Sequence, residues 1–446
     1  MALQLNSDFV DGKSAESFAG FFSHIAGFFI IEDTVYRTTT NFLRRRVVDE
    51  LWKTATSKVT NLVREILTNQ TSGYLVYLME TAWIFTSTLN QYSYDISPWV
   101  DMLSVVCDRC IDRALEQANQ KTHDILGNEK FEPLRISRTN QLFRELITEN
   151  GLEEEGHYRD ANEQDKSKEL EFPFSMAVPL ICNLIRSFAS EAYGSSRYAK
   201  KPEEQLSQAM DQLLVHIGGA FQLTVDESFQ HSNIAQLVQV YQNLSKLITY
   251  LRNDLEFALT GLKFSNTIAH RCSKAAVAML KHVQTQCQNK LAEICQTKVS
   301  MFLSLTDDIQ WTPDKPQSEG ASPHVQDFII YLEAIYQMLR PLSNSLRDGL
   351  LIRLHTFIGK CLLDPMTMVP EFNCYAVTNV QSDITYLVKF AKAEGFEKSM
   401  IEGLTEAKQT MDLLLEPKMD SLLTVPKFRE KYDSVTGDRL HAVLGR

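Results

Sequence analysis

FPFSMAVPLICNLIRSFASEAY, residues 172–193, carries the clearest structural signal in the sequence. Ser175 can cap a helix, and Pro179 suits a first helical turn. Apolar side chains then recur on one helical face, at Leu180, Ile181, Leu184, Ile185, Phe188 and Ala192. The pattern predicts an amphipathic helix with a defined start. Residues 151–171, just before it, are almost entirely polar, and we expect them to form a solvated loop.

The same apolar periodicity recurs along most of the chain. It is regular from Ile234 to Ala258, and a further helix is expected between Ser322 and Pro341. We find no convincing run of alternating polar and apolar residues, and only 18 glycines and 13 prolines are present among 446 residues. The sequence therefore predicts an all-α, elongated protein with roughly 65 to 75% helix, against a usual 30 to 35%.

The length of the chain bounds its domain organisation. With 446 residues, of which 44% are hydrophobic, it exceeds what one core usually organises. We divide it at the break before Ile234. Residues 1–16 are predicted to be a flexible lead-in, residues 17–232 a first helical bundle region, and residues 233–446 a second, C-terminal bundle region.

Charge and cysteine content bear on partners and compartment. The 45 basic and 56 acidic residues give a net charge of −11, which argues against nucleic acid as the main partner. The eight cysteines are scattered through apolar helical stretches, so we expect them to be reduced and intracellular. Cys107 and Cys110 form a CxxC pair, which lacks the further ligands of a structural zinc site and is predicted to be buried and structural.

Two N-terminal features allow a membrane interpretation. The apolar run at residues 18–31 is shorter than a spanning helix needs and contains Ser23 and His24, so we expect it to be core. The triplet at residues 44–46 is three arginines, which could contact acidic lipid or a partner but fits a solvated helix face. No cleavable signal pattern opens the chain, which predicts that it begins in the cytosol.

No catalytic pattern emerges from the sequence. The ten histidines never form HExxH or HxH, and neither G-x-S-x-G nor a Walker sequence is present. The interruption at residues 312–323, TPDKPQSEGASP, is predicted to be an exposed loop and not a phosphate cradle. We therefore expect no enzyme activity, cofactor, metal or small-molecule substrate, and place the function in protein surfaces.

Five separated blocks carry a family resemblance. GFFIIEDTVYRTT (27–39), VDELWKTATSKV (48–59), FPFSMAVPLI (172–181), the segment from Asp308 through WTPDKPQSEGASPHVQDFIIYLEAIYQML, and FNCYAVTNVQSDITYL (372–387) together resemble the C-terminal half of the Sec15 subunit of the exocyst. The resemblance covers roughly residues 17–390. It implies a rod of stacked antiparallel helical bundles, as in other tethering complexes.

The resemblance also implies a function. Exocyst subunits hold secretory vesicles against the plasma membrane before fusion, and the Sec15 subunit is an effector of a GTP-bound Rab GTPase of recycling-endosome or secretory type. The implied partners are that Rab and the other exocyst subunits. The implied location is the cytoplasm, with recruitment through partners to vesicles and to plasma-membrane sites of exocytosis. The alternative is a scaffold that contacts only fellow tether subunits without Rab binding.

By the same resemblance, the Rab contact maps onto the helix expected from Ala376 to Ala393. Five residues of this helix are the candidate contacts: Thr378, Gln381, Ser382, Asp383 and Thr385. Asp383 matches the family, whereas many members carry asparagine in place of Gln381. We expect Gln381→Ala or Asp383→Arg to weaken Rab binding without changing the helical circular dichroism signal.

Overall fold

The computed structural model describes most of the chain. The described residues are 15–39, 42, 44–68, 72–153, 157–158, 169–253, 255, 266–303, 309–317, 320–416 and 431–435. Most of the predicted lead-in, residues 1–14, lies outside them.

The described residues form fourteen α-helices, which confirms the all-α prediction. These are α1 (Ala15–Thr38), α2 (Arg45–Thr68), α3 (Ser72–Asn90), α4 (Ser97–Gly127), α5 (Gln141–Leu146), α6 (Ala177–Ser196), α7 (Pro202–Gln230), α8 (Ile234–Asn253), α9 (Asn266–Leu303), α10 (Pro323–Leu339), α11 (Asn344–Met368), α12 (Cys374–Ala393), α13 (Glu397–Gly403) and α14 (Thr405–Leu414).

Local signals explain several of these boundaries. The amphipathic helix predicted from residues 172–193 is α6, and Pro179 lies in its first turn. Helix α10 ends at Leu339, two residues before Pro341, which lacks the N–H that a continuing helix needs. Beyond α12, Gly395 adopts a φ of 82°, a left-handed conformation that glycine takes without strain. The proline and glycine signals therefore agree with the structure. The expected cap at Ser175 does not, because the N-cap residue of α6 is Met176, whose side chain makes no capping bond.

A small antiparallel sheet corrects the prediction of a continuous solvated loop. Strands β1 (Arg135–Ser137), β2 (His157–Tyr158) and β3 (Glu169–Glu171) pair in the order β1-β3-β2. Ile136 pairs with Leu170, and both side chains are buried. The prediction was wrong at the end of the loop, because one apolar residue between two glutamates is enough to anchor a strand against the helices.

The first core cluster lies among α1, α2, α3 and α4. Its centre is aromatic: the ring of Phe85 lies 4.9 Å from that of Phe22 and 5.0 Å from that of Trp99, and Trp99 is fully buried. Aromatic pairs at such distances add about 0.5 to 1.5 kcal/mol beyond the area that they bury. The cluster therefore fixes the mutual orientation of α1, α3 and α4.

A second, larger cluster runs from the C-terminal half of α4 to α14. Helix α4 joins the two, since Val106 belongs to the first cluster and Ile111 to the second. Helix α9 likewise packs on α7 and α8 and also on α11, so it links the middle of the chain to the C-terminal helices. Long helices that each connect neighbouring layers produce a stack of helical bundles. Val225 and Ile234 lie in the same cluster, and the domain boundary near residue 232 stays a prediction.

Helix α1 has a mixed character. Among the described residues, it is the one helix that is long and apolar enough, from Phe18 to Thr38, to cross a membrane by length and composition. One of its faces is packed in the first core cluster, where Phe18, Phe22, Ile25 and Phe29 are buried. Ile31, on another face, is 63% exposed.

Candidate protein-binding face on helix α12

Helix α12 has a firmly capped start. The side chain of Asn373 accepts hydrogen bonds from the backbone N–H groups of Tyr375 and Ala376, at 3.1 and 3.0 Å. Such a cap contributes about 1 kcal/mol, because it satisfies donors that have no partner inside the helix. The cap fixes where α12 begins and therefore which side chains share each of its faces.

One side of α12 is part of the interior. Val377, Val380, Ile384 and Leu387 are buried against α10, α13 and α14, as the apolar spacing predicts. This packing leaves the opposite side of the helix to the solvent.

The opposite side forms a continuous stripe that we call the α12 face. It consists of Tyr375, Thr378, Ser382, Thr385, Tyr386 and Lys389, which recur at helical spacing. Tyr375 is 39% exposed and Tyr386 is 40% exposed. Both tyrosines are missing from the predicted contacts, although they recur at the same helical spacing as Thr378 and Ser382.

The hydroxyl groups on the α12 face are oriented by the helix itself. Thr378, Ser382 and Thr385 donate to the carbonyl oxygens of Cys374, Thr378 and Gln381, at 2.9, 3.0 and 2.8 Å. Because each donor is used internally, the oxygens offer lone pairs to the solvent. The face therefore presents aromatic rings and hydrogen-bond acceptors.

Gln381 lies at the edge of this face. Its Nε2 donates to Oδ1 of Asp412 on α14, at 2.7 Å, and the side chain is half-buried. The structure thus brings four of the five predicted contacts to the outer side or edge of α12: Thr378, Gln381, Ser382 and Thr385.

Asp383 is placed differently, and its prediction as a surface contact is corrected. The side chain is 2% exposed. Its Oδ1 accepts from the backbone N–H of Ser322 at 2.6 Å, and its Oδ2 accepts from the Ser322 hydroxyl at 2.8 Å. Burial raises the pKa of this carboxyl, while the two bonds from Ser322 oppose that rise. Asp383 therefore joins α12 to the start of α10 and lies away from the exposed side of α12.

The segment predicted to be an exposed loop is attached to α12. We call Trp311 and the described loop residues before α10, 312–317 and 320–322, the strap. The carbonyl oxygens of Trp311 and Pro313 accept from the backbone and side-chain N–H groups of Asn373, at 3.0 and 2.7 Å. The backbone N–H of Gln317 donates to Oδ1 of Asn379 at 2.8 Å. Together with Asp383, these contacts fasten the strap along the flank of the helix.

Metal-binding side chains do not cluster in the described part of the chain. No group of three or more histidine, cysteine, aspartate or glutamate side chains that could hold a metal occurs among the described residues. All eight cysteines are free, and Cys107 and Cys110 are buried, as expected for structural residues. A groove of about 780 Å³ lies beside α6, and Arg186 is among the residues that line it. The Arg186 guanidinium donates to the backbone carbonyl of Glu149 and lies 3.8 Å from the carboxylate of the same residue, so its charge already has a partner.

The sequence match to a known family is extensive. The model of the exocyst complex subunit Sec15 C-terminal region matches residues 99–446. The chain belongs to the Sec15 family of exocyst subunits. This confirms the resemblance carried by the five sequence blocks. The matched region is the C-terminal part of Sec15 proteins.

Relatives of the Sec15 family align over nearly the whole chain. Exocyst complex component SEC15A of Arabidopsis thaliana is 24% identical over 96% of this chain and 55% of its own length. Exocyst complex component 6 of Dictyostelium discoideum is 23% identical over 94% of this chain and 46% of its own length. The same component of Homo sapiens is 22% identical over 90% of this chain and 50% of its own length. The chain thus spans about half the length of the curated relatives it matches.

A solved structure of a Sec15 C-terminal domain is also similar. It aligns with a TM-score of 0.40 and 17% identity, over 71% of this chain and 98% of that domain. The family assignment rests on the sequence match.

Proposed function

We propose that the chain acts as an exocyst tethering subunit, which helps to hold secretory vesicles at the plasma membrane before fusion. The observation that carries the proposal is the match of residues 99–446 to the Sec15 C-terminal family model. The all-helical stack supports it, because a stiff helical body can hold binding surfaces apart without altering any covalent bond. The proposed role is non-enzymatic.

We further propose that the α12 face binds a GTP-bound Rab GTPase of recycling-endosome or secretory type. Tyr375 and Tyr386 present large rings at low conformational-entropy cost, and tyrosine is enriched among residues that dominate binding energy. The residues between the two tyrosines in the sequence include Thr378, Ser382 and Thr385, whose hydroxyl oxygens can accept bonds from the partner.

Gln381 and Asp383 have different parts in this proposal. Gln381 can reach the rim of the contact, although its amide is already bonded to Asp412. Asp383 acts as a positioning residue, since its bonds to Ser322 set α12 against α10. The cytoplasmic location and the recruitment to vesicles and exocytic sites through partners belong to the same proposal, as do the contacts with other exocyst subunits.

The test is a binding panel with the purified chain. Secretory and endosomal Rab GTPases, each loaded with a GTP analogue or with GDP, are titrated by calorimetry. We expect binding of a GTP-loaded form, and binding at least about tenfold weaker for Tyr386→Ala. Tyr77→Ala on α3 is the matched control, because Tyr77 is also 40% exposed but lies outside α12. The absence of nucleotide-dependent binding across the panel would defeat the Rab proposal.

A second candidate is a scaffold that contacts only other tether subunits. Helix α3 favours it, because its one charged residue is Glu80, while Trp83 and Ile84 are 38% and 60% exposed. An outward apolar helix face of this kind suits a permanent subunit contact. Co-purification of exocyst subunits that Ile84→Ser reduces and Tyr386→Ala does not, without any Rab binding, would support this alternative.

A further inference from the structure

Ser322 lies where the strap meets helix α10. It is the N-cap residue of α10, with φ −53° and ψ 145°, and Pro323 follows at the first helical position. Because the residue before a proline is biased towards extended conformations, Ser322 is held extended at the junction between the strap and α10. The Ser322 side chain is half-buried, and Pro323 is exposed.

The Ser322 hydroxyl has an unusual environment for an N-cap. It makes no capping bond to α10. Its Oγ lies 2.8 Å from Oδ2 of Asp383 and 3.0 Å from Oε1 of Gln317, and both of these oxygens are acceptors. The hydroxyl has one proton, which it can donate to either acceptor or share between them. An oxygen without that proton would face two acceptors and no donor.

We propose that Ser322 is a phosphorylation site for a proline-directed serine/threonine kinase, and that its phosphorylation detaches this end of the strap from α12. In the reaction, Ser322 Oγ attacks the γ-phosphorus of ATP, the bond from that phosphorus to the ADP oxygen breaks, and the hydroxyl proton passes to the base of the kinase. Proline at the next position has no N–H, which restricts the modifying enzyme to kinases that need no such donor.

Electrostatic repulsion is expected to separate phosphorylated Ser322 from Asp383. A phosphoserine carries about −1.5 to −2 charges at pH 7, and here it would stand against a buried carboxylate. Among the described residues, the groups that act on Asp383 are Ser322 and His324, and neither is a lysine or arginine. His324 also interacts with Asp383, but burial lowers the pKa of His324 and favours its neutral form at pH 7. The helix dipole of α10 supplies only about half a positive charge, which cannot compensate.

The release is expected to be local. The bonds from Asn373 to Trp311 and Pro313, and from Gln317 to Asn379, do not involve Ser322. Phosphorylation should therefore free residues 320–322 first and leave the other end of the strap attached. This consequence concerns the chain alone and does not depend on Rab binding.

The test treats the folded, full chain with ATP and a proline-directed kinase and maps the phosphate by mass spectrometry. We expect modification of Ser322 in the native chain and its loss in Ser322→Ala and Pro323→Ala. Hydrogen exchange then follows the Ser322 amide, which we expect to exchange at least about tenfold faster after phosphorylation. Ser322→Asp should reproduce part of this increase, relative to the uncharged control Ser322→Asn.

Three results would overturn the proposal. The first is modification of Ser322 only after the chain has been unfolded, and the second is modification confined to Thr312, which also precedes a proline. The third is phosphorylation of native Ser322 with no change in exchange at its amide, which would contradict the predicted release.

Discussion

Asp383 and Ser322, which are 61 residues apart in sequence, join helix α12 to the N-cap of α10 through two hydrogen bonds. The carboxylate is buried and accepts hydrogen bonds from the backbone N–H and the hydroxyl of Ser322. An acidic side chain in the family-matched helix is therefore a structural link between two helices.

Removal of this link is expected to destabilise the chain. Asp383→Ala leaves the backbone N–H of Ser322 without its partner, and lost bonds to charged groups cost roughly 1.5 to 3 kcal/mol. Thr385→Ala, on the exposed side of α12, should change the free energy of unfolding by less than about 0.5 kcal/mol. Urea unfolding followed by circular dichroism measures both. Equal midpoints for the two variants would show that the Asp383 link carries no stability.

Asp383→Arg should also lower the unfolding midpoint. The substitution places a buried cation against the two donors of Ser322, so repulsion replaces both hydrogen bonds. This corrects the expectation that the variant keeps its fold and loses only partner binding. A thermal scan of the variant that matches the unmodified chain would restore the earlier expectation.

His355 predicts a loss of stability in acid. It is fully buried, its Nε2 lies 2.7 Å from the Tyr336 hydroxyl, and burial lowers the pKa of the imidazole from 6.5 to about 4. Because the folded pKa lies below the unfolded one, the stabilisation is complete above about pH 6.5 and is lost as the pH falls towards 4. A shift of this size corresponds to roughly 3 kcal/mol.

The measurement compares unfolding free energies at pH 7 and pH 4. The advantage of the unmodified chain over His355→Gln should shrink by roughly 3 kcal/mol between these pH values. His231→Gln is the control, because His231 is exposed in the turn after α7. A constant difference between the unmodified chain and His355→Gln at both pH values would contradict the prediction.

Gly403 allows α13 to approach α11 closely. A Cβ atom added at Gly403 would overlap the side chain of His355 and lie 2.8 Å from the backbone nitrogen of Thr356. Since backbone cannot move aside cheaply, Gly403→Ala should destabilise the chain by roughly 1 to 3 kcal/mol. Gly349→Ala is the matched control: Gly349 lies in α11 with open space around it, and alanine there should stabilise by about 0.5 to 1 kcal/mol. The opposite order of unfolding midpoints would refute this packing argument.

The sequence predicted those features that depend on neighbouring residues. Apolar spacing, prolines and glycines identified α6, α10 and α12, because helix formation and termination are set within a few turns. The strands at residues 135–137 and 169–171 were missed, since segments of three residues are too short for a visible alternation and their pairing joins distant parts of the chain.

The candidate site was only partly predictable for the same reason. The outward direction of Thr378 and Thr385 follows from the period of the helix. The burial of Asp383 depends on Ser322, and the attachment of the strap depends on Asn373 and Asn379. In each of these contacts the two residues are about 60 positions apart in the sequence, so no local sequence pattern predicts them.

The cysteines give the last prediction, a test of the CxxC interpretation. Burial raises the pKa of Cys107 to about 12 and that of Cys110 to about 11, so neither forms the reactive thiolate near neutral pH. Cys374, at the start of α12, is exposed. A maleimide should therefore label Cys374 first in the folded chain and leave Cys107 and Cys110 unmodified until urea is added. Cys374→Ser should remove the fast phase, whereas Cys107→Ser should leave it unchanged. Rapid labelling of Cys107 in the native chain would contradict a buried, structural pair and would reopen a redox or metal role for the motif.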